Sequence, residues 1–77
     1  MNSDDIKALI ETSIEDAEVT VSSDDNVHFE AKVISQGFHE KSLVQRHQMV
    51  YGSLGNKMQS EIHALSLTTL TPKENLE

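Results

Sequence analysis

The 77-residue chain contains no cysteine. No disulfide can staple it, and no thiolate is present to attack a substrate or close an all-sulfur metal site. Tryptophan is absent too, and the aromatic side chains are Phe29, Phe38 and Tyr51. A chain of this length buries only about 60% of its unfolded surface, so its apolar residues must form one simple core. Basic residues are also few, six Lys and Arg against 13 Asp and Glu, for a net charge of −7. That balance opposes general affinity for a phosphate backbone, which needs a cationic surface. No apolar run approaches the roughly 20 residues of a membrane helix, and Met1-Asn2-Ser3-Asp4-Asp5 has no basic leader character. The expectation is one domain over residues 1–77, cytoplasmic and without a membrane partner.

Motifs of catalysis are missing as well. There is no Gly-x-Ser-x-Gly elbow, P-loop, His-Glu-x-x-His or Cys-x-x-Cys. Asp24-Asp25 is an acid pair in a polar turn and lacks the spaced oxygen ligands of a calcium loop. The chain does not read as an enzyme.

Charge is segregated along what remains. Residues 1–30 hold nine acids and one lysine, whereas residues 31–60 hold Lys32, Lys41, Arg46 and Lys57 against Glu40 alone. An acidic first part joined to a mildly basic middle reads either as solvated surface or as a dock for one specific anionic partner.

The hydrophobic pattern gives the elements. Asn2 or Ser3 can cap a first helix in which Asp4 and Asp5 favour the positive end of the dipole and Ile6, Leu9, Ile10 and Ile14 repeat at helical spacing, ending near Glu15. Two stretches of period-two alternation follow, Ala17–Val21 and Val27–Val33, separated by the turn formers Ser22-Ser23-Asp24-Asp25-Asn26. They predict an antiparallel hairpin that buries Val19, Val21, Phe29, Ala31 and Val33 and leaves His28, Glu30 and Lys32 on the other face. Lys41–Leu54 reads as a helix with Leu43, His47, Val50, Tyr51 and Leu54 on one stripe. A short helical piece over 56–61, a strand over Ile62–Leu70 and a tail, Lys73–Glu77, that Pro72 can start as a frayed helical turn complete the chain. The order α-β-β-α-α-β predicts an α+β fold, a three-stranded mixed sheet with helices on one face. Its right-handed crossover makes the second and third strands parallel.

Four histidines are candidates for chemistry. His47 lies on an apolar stripe and reads as structural. His39 falls in a polar loop, and His28 opens the outward register of the second strand. His63 stands at the start of the last strand, at the rim of the core, where it reads as a satisfied rim residue or a metal ligand. Gly52-Ser53-Leu54-Gly55 matches the Gly-x-x-Gly backbone clamp of KH domains, but its centre is not basic and Leu54 continues the apolar stripe, which favours a helix–helix turn.

Two longer segments are more specific. Phe38-His39-Glu40-Lys41-Ser42-Leu43-Val44-Gln45-Arg46-His47-Gln48-Met49-Val50-Tyr51 resembles the signature of the BolA family, and Ile62-His63-Ala64-Leu65-Ser66-Leu67-Thr68-Thr69-Leu70-Thr71-Pro72 resembles its closing strand. The short hairpin loop and Val27-His28-Phe29 are most similar to the small bacterial branch called IbaG or YrbA. This resemblance implies a class II KH-like fold. It also implies a partner, a monothiol glutaredoxin with a Cys-Gly-Phe-Ser site, and a [2Fe-2S] cluster shared with that partner and its glutathione. The histidine of the Ile-His-Ala motif, His63, would be one ligand. The second comes from the hairpin region as Cys or His, and in a chain without cysteine His28 is the nearest candidate. The isolated chain would hold no cofactor tightly and would be a monomer or weak homodimer. Its role would lie in iron–sulfur trafficking or stress regulation.

The resemblance also implies an alternative, a KH-like transcriptional regulator binding DNA weakly through Lys41, Arg46 and Lys57, with Gly52 and Gly55 framing the clamp. Two departures from the family pattern stand out. Glu40 occupies the place of a usual glycine, which predicts a reshaped loop, and the tryptophan common after Thr71-Pro72 is missing, which predicts a short last helix.

Overall fold

The computed structural model describes residues 1–57, 62 and 64–77. The first helix, α1, is Ser3–Ser13. Asn2 caps it through a reciprocal box: its side chain accepts from the Asp5 N–H at 2.9 Å while Asp5 accepts from the Asn2 N–H at 3.1 Å. The helix ends two residues before Glu15, where its cap residue Ile14 leaves the helical region at φ −111° and ψ 114°, and Asp16 then takes a left-handed φ of 55°. Ile6, Ile10 and Ile14 are its buried stripe.

Strands β1 (Glu18–Ser22) and β2 (His28–Ile34) form the antiparallel hairpin, in register Val19↔Val33 and Val21↔Ala31. Both lie one residue later in the chain than the alternation suggested. Strict alternation along β2 buries Phe29, Ala31 and Val33 and exposes His28, Glu30 and Lys32. After a 3₁₀ turn, Gln36–Phe38, helix α2 runs over Leu43–Leu54 behind a second reciprocal box, Ser42 with Gln45. Strand β3 (Ala64–Leu70) then pairs parallel with β2, giving the sheet order β1-β2-β3. A last turn, α3 (Pro72–Asn75), starts on Pro72 as the sequence indicated, and Thr71 and Glu74 box its end.

The α+β architecture and the mixed three-stranded sheet are therefore as read from the sequence. Of the helical piece expected over 56–61, residues 58–61 lie outside the described residues. The main helix begins at Leu43 rather than Lys41, since Ser42 caps it, and its stripe is narrower than the spacing implied. Val50 and Leu54 are buried, but Leu43 is 63% exposed. Arg46, three residues on, is 12% exposed, with its guanidinium carbon 5.8 Å from the centre of the Phe38 ring.

The loop before α2 answers the glycine question. Glu40 itself takes φ 61°, a conformation that glycine adopts without a Cβ penalty. The Lys41 N–H closes the turn on the Phe38 carbonyl at 3.0 Å.

Candidate functional site

The hairpin loop is built around two side chains. Ser23 Oγ accepts from the Asn26 N–H at 2.9 Å and donates to the His28 carbonyl at 2.6 Å. One oxygen of Asp25, Oδ1, accepts the backbone N–H of both Val27 and His28, each at 2.9 Å. Its other oxygen, Oδ2, lies 2.9 Å from Nδ1 of the His28 ring. These bonds, the His28 backbone N–H first and the His28 ring next, hold the Asp25 carboxyl well below the usual carboxylate range. Asp25 was legible in the sequence only as a solvated turn acid. Its spacing three residues before a histidine, in a turn, was the available signal.

His28 itself is 66% exposed at the first position of β2. Its register partner across the sheet is Ala64, the first residue of β3, and the Ala64 N–H donates to the Val27 carbonyl at 3.2 Å. An open concavity of about 360 Å³ lies here, lined in part by Ser22, Asp25, His28, Glu30, Ala64 and Ser66. His63 lies outside the described residues. Its neighbours in the chain are fixed: Ile62 is buried, with its N–H on the Lys57 carbonyl at 2.9 Å, and Ala64 is the partner of His28. Among the described residues no three His, Asp or Glu side chains converge on one point.

The other two histidines stay apart from this end of the sheet. His39 is exposed, its Nε2 3.7 Å from the Glu40 carboxylate. His47 is half-buried on α2, with Nε2 inaccessible and without a hydrogen-bond partner among the described residues.

The alternative set of contacts is dispersed. Lys41 is exposed and Lys57 half-buried. Arg46 is only 12% exposed and is bound on several sides. It donates to the Lys41 carbonyl at 3.1 Å, to the Thr69 carbonyl at 3.4 Å and to both carboxylate oxygens of Glu74 at 2.7 and 3.2 Å. That guanidinium holds the Glu74 carboxyl down at about 2. Gly52 lies in the last turn of α2, and Gly55 caps the helix at φ 59° with its N–H on the Gly52 carbonyl. The Arg46–Glu74 bridge joins residues 28 apart and had no signature in the sequence.

Residues 6–74 match the family of BolA-like proteins. The chain belongs to the BolA family. A solved BolA homologue from Coxiella burnetii is 42% identical, covers 100% of this chain and 99% of its own, and superposes with a TM-score of 0.89. Among curated BolA relatives, the chloroplastic protein BOLA1 of Arabidopsis thaliana is 42% identical over 69% of this chain and 33% of its own length. The DNA-binding transcriptional regulator BolA of Escherichia coli K12 is 36% identical over 61% of this chain and 45% of its own. The BolA match thus spans less than half the length of these two relatives. No helix among the described residues is long and apolar enough to cross a membrane, and with a chloroplastic relative the family does not fix a compartment.

Proposed function

We propose that this chain is a non-enzymatic adaptor of the cytoplasm. It docks on a monothiol glutaredoxin and supplies imidazole ligands, His63 and His28, to a [2Fe-2S] cluster whose remaining ligands are the partner's thiolate and its glutathione. The observation that carries the reading is the Asp25–His28 pair at the exposed start of β2, in register with the residue that follows His63. Metal-bound histidines characteristically direct their second ring nitrogen at a carboxylate, and here Nδ1 of the ring lies 2.9 Å from Asp25 Oδ2. The donor set suits the cluster: imidazole is a good iron ligand, and histidine in place of thiolate raises the potential of a [2Fe-2S] centre. With no cysteine anywhere in the chain, it must share the cluster rather than enclose it.

The test is a visible circular dichroism titration of a cluster-loaded Cys-Gly-Phe-Ser glutaredoxin with this protein, alongside His63→Ala and His28→Ala. A new spectrum complete at one equivalent, lost with His63→Ala and weakened with His28→Ala, is the expected result. An unchanged spectrum, with the glutaredoxin confirmed folded and loaded, overturns the reading.

A second reading rests on the name of the Escherichia coli relative, a DNA-binding transcriptional regulator. Lys41, Arg46, Lys57, Gly52 and Gly55 would make the contacts. The bonding of Arg46 to Glu74 weighs against it, because a guanidinium already paired bidentately has less to offer a phosphate. Submicromolar, sequence-selective binding at physiological salt in a gel shift would put this reading first.

A further inference from the structure

We propose that Asp25 is the positioning residue of the site: it holds His28 in the Nδ1–H tautomer and thereby makes Nε2 the nitrogen offered to a metal. The inference deepens the cluster-ligand reading and rests on it for its use, but not for its geometry. An ionised carboxylate is an acceptor only, so a ring nitrogen bonded to it must carry the proton. In a neutral imidazole the proton on Nδ1 leaves the lone pair on Nε2. The Asp25 carboxylate is itself pinned, since Oδ1 is engaged by the peptide N–H groups of Val27 and His28 while Oδ2 meets the ring. The ring thus bonds a group whose orientation is fixed by the backbone of the same residue.

This arrangement explains why an exposed loop carries so many bonds. Ser23 closes the turn on the His28 carbonyl, Asn26 supplies the left-handed residue at φ 58°, and together they bring Asp25 back over β2. The bond to Asp25 restricts both the rotamer and the tautomer of a histidine that is two-thirds exposed. Orienting it beforehand removes that entropy from the binding step.

The discriminating variant is Asp25→Asn. Its amide oxygen can still accept the Val27 and His28 N–H groups, so the loop is retained, but its NH₂ then faces Nδ1 and donates to it. Nδ1 becomes the acceptor, and the ring proton moves to Nε2. A carboxylate-to-amide change that inverts the tautomer of a catalytic histidine is known to be costly while leaving geometry intact. Here the expected effect is a 10- to 100-fold weaker apparent affinity in the cluster titration, the usual size for losing an outer partner of a metal-bound histidine.

Two readouts separate this proposal from the function it serves. In the free chain, ring ¹⁵N shifts of the neutral imidazole report the tautomer directly. Nδ1–H in the native chain and Nε2–H in Asp25→Asn, with amide spectra showing both folded, support the proposal. Nε2–H in the native chain overturns it and needs no variant to do so. In the glutaredoxin titration, Asp25→Asn as impaired as His28→Ala supports it, whereas Asp25→Asn behaving as native beside an impaired His28→Ala overturns it. A His28→Ala titration identical to native removes His28 from the ligand set. That result overturns the ligand reading and the use assigned to Asp25, while the ¹⁵N shifts still decide the tautomer by themselves.

Discussion

Replacing Glu40 by glycine should stabilise the protein by about 1 kcal/mol. A residue with a Cβ held in the left-handed region costs roughly 1–2 kcal/mol, and Glu40 sits there at φ 61°. Glycine removes that cost but adds about 0.4–1 kcal/mol of unfolded-state entropy, which leaves a net gain. The side chain lost is exposed. Its one ion pair among the described residues, to His39 at 3.7 Å between two exposed groups, falls in the class worth ~0–1 kcal/mol, at the low end here because it needs a protonated imidazole. In a domain of 60–100 residues the gain corresponds to a rise in Tm of about 4–8 °C. Urea unfolding read by far-ultraviolet circular dichroism measures it as a higher midpoint at unchanged slope. Glu40→Ala is the control, because alanine keeps the Cβ and removes the charge. It should fall within about 0.5 kcal/mol of native, as exposed substitutions usually do. If both variants gain equally, the effect belongs to the lost acid in a chain of net charge −7, and the backbone argument is refuted. A glycine variant less stable than native would refute it more directly.

Three other outcomes follow from the same structure. Ile62, 2% exposed and the last described residue before His63, should cost about 2–5 kcal/mol as Ile62→Ala and 0.5–1.5 as Ile62→Val in thermal or urea melts. Glu74, held at about 2 against an ordinary 4.5, contributes stability that is complete above pH 4.5 and drains away as the pH falls toward 2. Glu74→Gln should flatten that part of the urea-midpoint profile, and an unchanged profile would show the Arg46 bridge to be absent in solution. The two glycines at the end of α2 should respond with opposite signs in melts. Gly52→Ala, in a helical turn with open space where the Cβ would go, should gain about 0.4–1 kcal/mol, whereas Gly55→Ala, at φ 59°, should lose about 1–3.

Most of the fold was written in short-range pattern. Caps and period 3.6 announced α1, and period two announced the hairpin and its two faces, because those signals are local and each buried position has one face to choose. The boundaries moved where a capping side chain or the backbone conformation set the end. Ile14 ended α1 by leaving the helical region, and Leu43, behind the Ser42 cap, rather than Lys41 began α2. Leu43 was misjudged as core because periodicity gives a direction around a helix axis but not whether anything lies opposite its first turn. Of the candidate site, the exposed position of His28 followed from the outward register, its role as a ligand is what the family resemblance implies, and His63 lies outside the described residues. Asp25 was missed because charge pattern alone cannot distinguish a solvated carboxylate from one folded back onto a ring. Arg46 looked like a free cation for the same reason in reverse, since its acid lies 28 residues further along.

The reach of Arg46 has a consequence for how the molecule survives at high concentration. β3 is an outer strand of the sheet, and its seven residues, Ala64–Leu70, carry no charge. Uncharged outer strands invite a second chain to extend the ladder, and soluble proteins usually forestall this with a lysine or proline placed on the strand itself. Here the Leu70 carbonyl is taken inward by the Ser35 N–H, and the neighbouring Thr69 carbonyl, which faces the opposite way, is covered by the Arg46 guanidinium arriving from α2. The gatekeeping charge is borrowed from a helix. A chain without Arg46 would therefore lose more than its bridge to Glu74: it should also turn cloudy on concentration, as an uncovered outer strand recruits a second copy.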